Sequence, residues 1–203
     1  MAPVTDPSPA RADGDLARTA TLDVLTAGYV GDRVASTVVL LRDGDAVVVV
    51  DPGMVADRSL ILDPLAALGV SPGDVTDVVL SHHHPDHTLN AALFLQARVH
   101  DHMATYRDDV WDSRPAEGFE ITPAIRLIAT PGHSREDITT LVGTGTGIAA
   151  LTHAWWTAQG PAEDPYAPDT AVLAASRARI LAVADLVVPG HGGPFRPDAS
   201  TPR

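Results

Sequence analysis

The stretch Asp77-Val78-Val79-Leu80-Ser81-His82-His83-His84-Pro85-Asp86-His87 decides how this chain reads. Its first four residues have the apolar, β-branched character of a buried strand, and a strand end followed by a helix start is a natural platform for ligands. In extended backbone, residues two apart face the same way, so His82 and His84 converge while His83 points elsewhere and is not expected to ligate. Pro85 reinforces this, because the residue before a proline is pushed out of the helical region. The chain is then expected to turn into a helix near Thr88, swinging Asp86 and His87 towards a second point close to the first. One short segment can therefore serve two metal ions.

The bland alternative is a solvent-exposed histidine run of the kind found in tags. Against it stand the buried-type strand in front, an aspartate at a ligand-like offset and two later echoes, Pro131-Gly132-His133 and Pro189-Gly190-His191. Each echo follows a predicted strand, and its glycine permits close backbone approach.

Working outward, 203 residues suit one domain able to bury a core without help. There is no cysteine, which excludes disulfides and thiolate metal sites and leaves histidine and carboxylate as strong ligands. Fourteen basic against twenty-six acidic residues give a formal charge of −12. That balance repels polyanions and leaves no electrostatic footprint for nucleic acid, although an acidic surface is also a common solubility device. Residues 1–18, rich in Pro, Ala, Asp and Arg, read as a flexible N-terminal arm, with 19–203 as the folded domain. No run is apolar enough for a spanning helix or a secretory signal, so a soluble, cytoplasmic protein without a membrane partner is expected.

Strands are expected at Thr21 to Tyr29, Ser36 to Leu41, Ala46 to Val50, Thr76 to Leu80 and Arg98 to His100. Further strands are expected at Ile121 to Thr130, Ile138 to Gly143, Ile148 to Thr152 and Leu186 to Val188. Helical patterns cover Arg58 to Leu68, ending at Gly69, then Thr88 to Leu95 and the amphipathic Thr170 to Ala184. Strands and helices repeated once in similar order suggest two half-domains packed sheet against sheet with helices outside, an α/β fold.

At this point the residues resemble the metallo-β-lactamase superfamily. His82, His84, Asp86 and His87 match its His-x-His-x-Asp-His signature, Asp51 in Val50-Asp51-Pro52-Gly53 matches a strand-end aspartate, and His133 and His191 match later ligand histidines. The likeness runs from about residue 20 to residue 196, and the Pro-Gly-His-Gly stretch at 189–192 is similar to bacterial relatives of metallo-β-lactamase domain-containing protein 1. The resemblance implies a four-layer αβ/βα sandwich with the site at one edge of the sheets. It also implies that His82, His84 and His133 hold one metal while Asp86, His87 and His191 contribute to a second. Asp51 would orient a histidine or the loop, or else simply cap the Asp-Pro-Gly turn.

The pattern breaks at Ala149-Ala150-Leu151-Thr152-His153-Ala154-Trp155-Trp156. Family members usually place a metal-bridging aspartate there, and here the position is His153. The next carboxylates, Glu163 and Asp164, look like loop residues. A neutral imidazole offers one free nitrogen and no charge, so it cannot bridge as a carboxylate does. With Asp86 the only anionic ligand, the second metal would bind more weakly, or His153 would ligate one metal only, hydrogen-bond a ligand, or lie displaced. His100 and His102 read as structural.

The expected cofactor is zinc, two ions, with iron or manganese as alternatives, and the expected reaction is hydrolysis of an ester, lactone, thioester or amide of a small molecule by metal-activated water. Asp86 would orient the nucleophile. Trp155, Trp156 and Tyr166 are candidate pocket walls, though sparse aromatics usually belong to cores, and Arg135 is a candidate anchor for an anionic group, though such arginines usually sit in solvent. A mononuclear iron oxidoreductase is the main competing function. A nuclease is disfavoured by the acidic charge, and a fold-stabilising metal without turnover ranks last.

Overall fold

The structure, a computed structural model, describes residues 12–203. Seven strands form one sheet in sequence order: β1 (Thr21–Thr26), β2 (Val38–Asp43), β3 (Ala46–Val50), β4 (Asp77–Val79), β5 (Arg98–His100), β6 (Ala104–Arg107) and β7 (Val110–Ser113). The second sheet has five, β8 (Glu120–Thr122), β9 (Ile125–Ala129), β10 (Ile138–Thr144), β11 (Gly147–Thr152) and β12 (Leu186–Pro189), with the order 12-11-10-9-8. Strand β4 runs parallel to both β3 and β5, and β11 runs parallel to β12. The crossovers carry the helices α1 (Ser59–Ala67), α2 (Pro85–Thr88) and α3 (Thr170–Leu181).

Period-two alternation sorts the side chains into three cores. Val39, Leu41, Val48, Val50 and Val79 face Ile125, Leu127, Val142, Leu151 and Val188 between the sheets. Their neighbours Val38, Leu40, Val49 and Val78 pack outward on Ile61 and Leu65 of α1, and Ile128, Leu141, Ala150 and Val187 pack on Leu173 and Ile180 of α3. The result is a four-layer αβ/βα sandwich. Strands β2, β3, β4, β10 and β11 are buried on both faces, which is why they read as apolar runs rather than alternating ones.

Three expectations are corrected and one hairpin is added. The helix placed at Thr88 to Leu95 is instead α2, ending at Thr88, and a separate 3-10 turn at Ala91–Leu93. Asn90 breaks it, because its N–H donates to Pro52 O at 2.8 Å and its side-chain amide to Gly53 O at 2.6 Å, tying it to the loop after β3. The strand placed at Ile121 to Thr130 is the hairpin of β8 and β9, turning through Pro123. The hairpin of β6 and β7 went unnoticed. It turns at Asp108, whose φ of 53° lies in the left-handed region that aspartate tolerates. Finally, the N-terminal arm does not reach Arg18. Leu16 is buried, Asp13 accepts from Arg179, and Arg126 donates to the carbonyls of Ala12 and Asp15, so the part from Ala12 onward is packed; the expectation for residues 1–11 lies outside the described residues.

Candidate metal centre

Five strands release their chains at the same edge of the sandwich, and each contributes. Asp51 follows β3, His82 to His87 follow β4, His133 follows β9, His153 follows β11 and His191 follows β12. Because β11 and β12 are parallel neighbours, with Thr152 paired to Pro189, their ends deliver His153 and His191 side by side. Close approach is built in by glycine. A Cβ at Gly190 would stand 2.2 Å from His153 Cδ2, and one at Gly53 would stand 1.6 Å from the Asp86 carbonyl oxygen.

The rings of His82, His84, His87, His133, His153 and His191 meet edge to face or tilted. The His82 ring centroid lies 4.6 Å from that of His84, 4.3 Å from His87, 5.1 Å from His133 and 4.6 Å from His153. One set of ligand atoms, from His82, His84 and His133, lies within 4.8 Å of one another, as does a second from Asp86, His87 and His191. His153 belongs to both neighbourhoods, falling within the same limit of His82 and His87 and, separately, of His133 and Asp164.

Three of these six imidazoles are aimed by a bond to the nitrogen that faces away from the cluster. His87 Nδ1 lies 2.9 Å from Asp51 Oδ2, His133 Nδ1 lies 2.8 Å from Asp164 Oδ2, and His191 Nδ1 lies 2.8 Å from Ala35 O. Each therefore donates its Nδ1–H outward and turns an unprotonated Nε2 inward, the arrangement that fixes ring and tautomer in metal sites. The inward nitrogens of His82 and His87 are buried and have no hydrogen-bond partner. An orphaned buried acceptor costs on the order of 1–3 kcal/mol, which a bound cation would remove. His84 Nδ1 stands 3.1 Å from His133 Nε2, and His153 Nε2 stands 3.2 Å from His191 Nε2. Two donors on a tetrahedral zinc at 2.0–2.1 Å sit about 3.3 Å apart, so these pairs are already near ligand spacing.

Burial pushes the His82 imidazole well down, with the facing histidines adding to the effect, and burial likewise lowers His84, His153 and His191. All four are held neutral, the form that ligates. The lone carboxylate among them is Asp86, whose Oδ2 lies 3.5 Å from His87 Nε2 and 3.6 Å from His191 Nε2. The donor set, six imidazoles and a carboxylate with the inward nitrogens of His82 and His87 lacking hydrogen-bond partners, fits a borderline divalent cation such as zinc.

Asp51 does more than close a turn. Its Oδ1 accepts from the Ser81 N–H at 2.7 Å while Oδ2 holds His87, so one side chain ties the end of β3 to the ligand segment. Asp51 itself sits at φ 51° to do so. Asp164, set aside in the sequence as a loop residue away from the site, is part of it. It swings in from its loop, is buried, and binds His133, Trp156 Nε1 at 2.7 Å and the Tyr166 N–H at 2.9 Å. What carries that loop inward is Arg177 of α3, buried against Trp155 and donating to the carbonyls of Ala154, Pro161 and Ala162.

Above the histidines opens a cavity of about 300 Å³, floored by His84, Asp86, His133, His153 and His191 and walled by Val30, Val34, Trp156 and Tyr166. Trp156 and Tyr166 stack at 5.7 Å. Two pocket expectations are corrected. Trp155 is fully buried in the core, its Nε1 donating to Pro202 O at 2.8 Å, because the chain after His153 turns both Ala154 and Trp155 into the core under α3 and brings only Trp156 back to the cavity. Arg135 lines a neighbouring cavity beside Asp169 and Val172, since the turn closed by Ser134 and Asp137 points His133 inward and carries Arg135 past the site.

This architecture and site define a metallo-β-lactamase-type protein. Residues 31–201 match the family model described as Metallo-beta-lactamase superfamily, and the chain belongs to that superfamily. It is similar to metallo-β-lactamase domain-containing protein 1 of Xenopus laevis, 34% identical over 171 residues that cover 78% of this chain and 71% of the frog protein. The alignment with the human protein of that name reaches only 59% of its length. Among solved structures, a Thermotoga maritima protein assigned to the metallo-β-lactamases superposes with a TM-score of 0.71 at 24% identity, covering 89% of this chain and 100% of that one. A quorum-quenching N-acyl homoserine lactone lactonase superposes at 0.62 with 16% identity, covering 87% and 92%. No helix among the described residues is long and apolar enough to cross a membrane.

Proposed function

We propose that the protein is a binuclear metal-dependent hydrolase of a small ester, lactone, thioester or amide. The observation that carries this is the convergence of His82, His84 and His133 beside Asp86, His87 and His191, with the buried inward nitrogens of His82 and His87 lacking hydrogen-bond partners, beneath an open cavity. Residues from each set would hold one ion, and His153, packed between the sets, would complete the ligation in place of a bridging carboxylate. Such ions supply a water deprotonated near neutral pH and polarise the scissile carbonyl.

The chain's own side chains divide the remaining work. Asp86, the only acidic residue among the described residues lining the cavity, accepts a hydrogen bond from the attacking water and so orients it. Asp51 and Asp164 keep His87 and His133 from rotating. Val30, Val34, Trp156 and Tyr166 offer an apolar slot to the acyl part of the substrate. No lysine or arginine is among the described residues lining that cavity, and with a net charge of −12 this favours a neutral carbonyl substrate over a nucleic acid. The reading extends to a cytoplasmic enzyme with neither a nucleic acid nor a membrane as partner.

The test is metal content per chain, on protein dialysed without added metal and carrying no histidine tag, together with turnover on ester, lactone, thioester and amide panels. About two zinc ions in the wild type falling to about one in His153→Ala, with turnover lost in parallel, is the expected result. One iron per chain with oxygen-dependent turnover, or metal content untouched by the substitution, overturns the binuclear hydrolase.

A further inference from the structure

A second histidine cluster lies outside the cavity. His83 leaves the ligand segment on the side opposite His82 and His84, and Asp101 and His102 follow β5, the parallel neighbour of β4. The two strand ends therefore bring the three side chains together. His83 Nε2 stands 3.0 Å from Asp101 Oδ2, and the rings of His83 and His102 lie 5.4 Å apart at 61°. One ligand atom from each of His83, Asp101 and His102 falls within 4.8 Å of the others.

The cluster is held firmly on one side and open on the other. Asp101 is buried, with Oδ1 accepting from the N–H groups of Met103 and Ala104, each at 2.9 Å, and Oδ2 accepting from the Tyr106 hydroxyl at 2.8 Å. Burial alone would raise its pKa, but these bonds and His83 outweigh it and keep Asp101 a carboxylate. His102 is pinned through its backbone, its carbonyl accepting from the Ala116 N–H at 2.9 Å. His102 Nδ1 is buried and has no partner, the same signature that marks the inward nitrogens of the main centre. The His83 side chain, by contrast, is 45% exposed and offers a route in from solvent.

We propose that His83, Asp101 and His102 form a separate, peripheral site for a borderline divalent cation of the zinc class. Two imidazoles and one carboxylate are a facial ligand set with room for water at the remaining positions. The set is unsuited to magnesium or calcium, which demand more oxygen ligands. With three protein ligands, one on a half-exposed side chain, the cation is held less tightly than at the cavity. Because His83 lies between His82 and His84, an ion here also braces the segment on which the main ligands ride, and binding to the folded state alone raises its stability.

The experiment is a zinc titration of the dialysed, untagged holoprotein, followed by calorimetry and by the shift in melting temperature. The wild type is expected to take up about one further zinc per chain and to melt higher at saturation. His102→Ala and His83→Gln are each expected to lose that uptake, binding at least tenfold more weakly, while keeping the dialysis-resistant metal and the turnover of the wild type. His83→Gln guards against a folding defect, since its side chain is half in solvent. Magnesium should give no heat at the same concentration. Absence of further zinc uptake by the wild type, or uptake unchanged in both variants, overturns the peripheral site whatever the main centre contains. Loss of the dialysis-resistant metal in the wild type would instead count against the hydrolase while leaving the peripheral site to its own titration.

Discussion

Strand β4 has a buried carboxylate network at its start and a histidine cluster beyond its end, and the two are built on opposite principles. At its start, Asp77 is fully buried and every atom is answered. Oδ1 accepts from His100 Nε2 at 2.7 Å and from Arg98 Nε at 2.8 Å, and Oδ2 accepts from the Thr76 hydroxyl at 2.7 Å and from Arg98 Nη2 at 3.1 Å. The other ring nitrogen of His100 faces Arg114 at 3.1 Å and Thr105 at 3.2 Å. Beyond its end, His82 and His87 are just as buried yet present nitrogens that no group among the described residues hydrogen-bonds. Buried polar groups are nearly always paired, so a closed network reads as structure and an open one reads as a demand for something absent from the polypeptide.

The sharpest way to break this contrast is His82→Ala. If the open cluster is a metal centre, removing the most buried ligand of the set His82, His84 and His133 should empty the first site and lower turnover by roughly three orders of magnitude, about 4 kcal/mol of transition-state stabilisation. Folding should be kept, because the lost ring makes only one side-chain hydrogen bond, to Ser81. Metal analysis beside steady-state kinetics checks it, and retention of both metal and rate within tenfold would sink the assignment.

The closed cluster predicts the reverse. Asp77→Ala strands buried His100 Nε2 without its acceptor and removes the partner of Arg98, and should cost about 3 kcal/mol of stability, read from chemical denaturation, while metal content stays at the wild-type level. Its pH dependence carries a sign. Burial raises the Asp77 pKa, but the bonds from His100, Arg98 and Thr76 overcome that and leave it at about 2, below the ordinary 3.8. A depressed acid binds its proton less readily folded than unfolded, so its contribution is present above the ordinary value and disappears as pH falls through the folded one. The gap between wild type and Asp77→Ala should therefore narrow between pH 4 and pH 2. A gap that widened there would refute the carboxylate's role. His100, lowered chiefly by burial, adds acid sensitivity in the same direction below its ordinary 6.5.

How far each end could be read in the sequence follows from how local its parts are. His82, His84, Asp86 and His87 were legible because strand alternation and the proline at 85 settle their directions within six residues. The sandwich was legible because its central strands are apolar runs. Asp164 was not, since its approach to His133 depends on Arg177, from a helix beyond it, gripping three loop carbonyls. Trp155 and Trp156 look equivalent in sequence, and only the direction of the chain after β11 sends one to the core and the other to the cavity. The hairpin of β6 and β7 was missed because β7 is exposed along its length and shows no buried face.

Asp51→Asn tests the comparison at its seam, where a closed bond supports an open nitrogen. Asparagine keeps the size of the side chain and can still accept from the Ser81 N–H through its carbonyl, so the tie between β3 and the ligand segment should survive. What changes is the contact at 2.9 Å with His87 Nδ1, where a neutral amide replaces a carboxylate. If the amide nitrogen faces the ring, His87 must flip its proton to Nε2, the nitrogen needed for metal. Loss of such a support costs 10- to 100-fold in metal affinity at sites of this kind, about 1.4–2.8 kcal/mol. Chelator competition should show one ion leaving more readily while the other is retained, since His82, His84 and His133 are oriented by other groups. Equal weakening of both ions would mean that Asp51 acts on the whole ligand segment through Ser81, and unchanged affinity would reduce it to a residue that closes a turn.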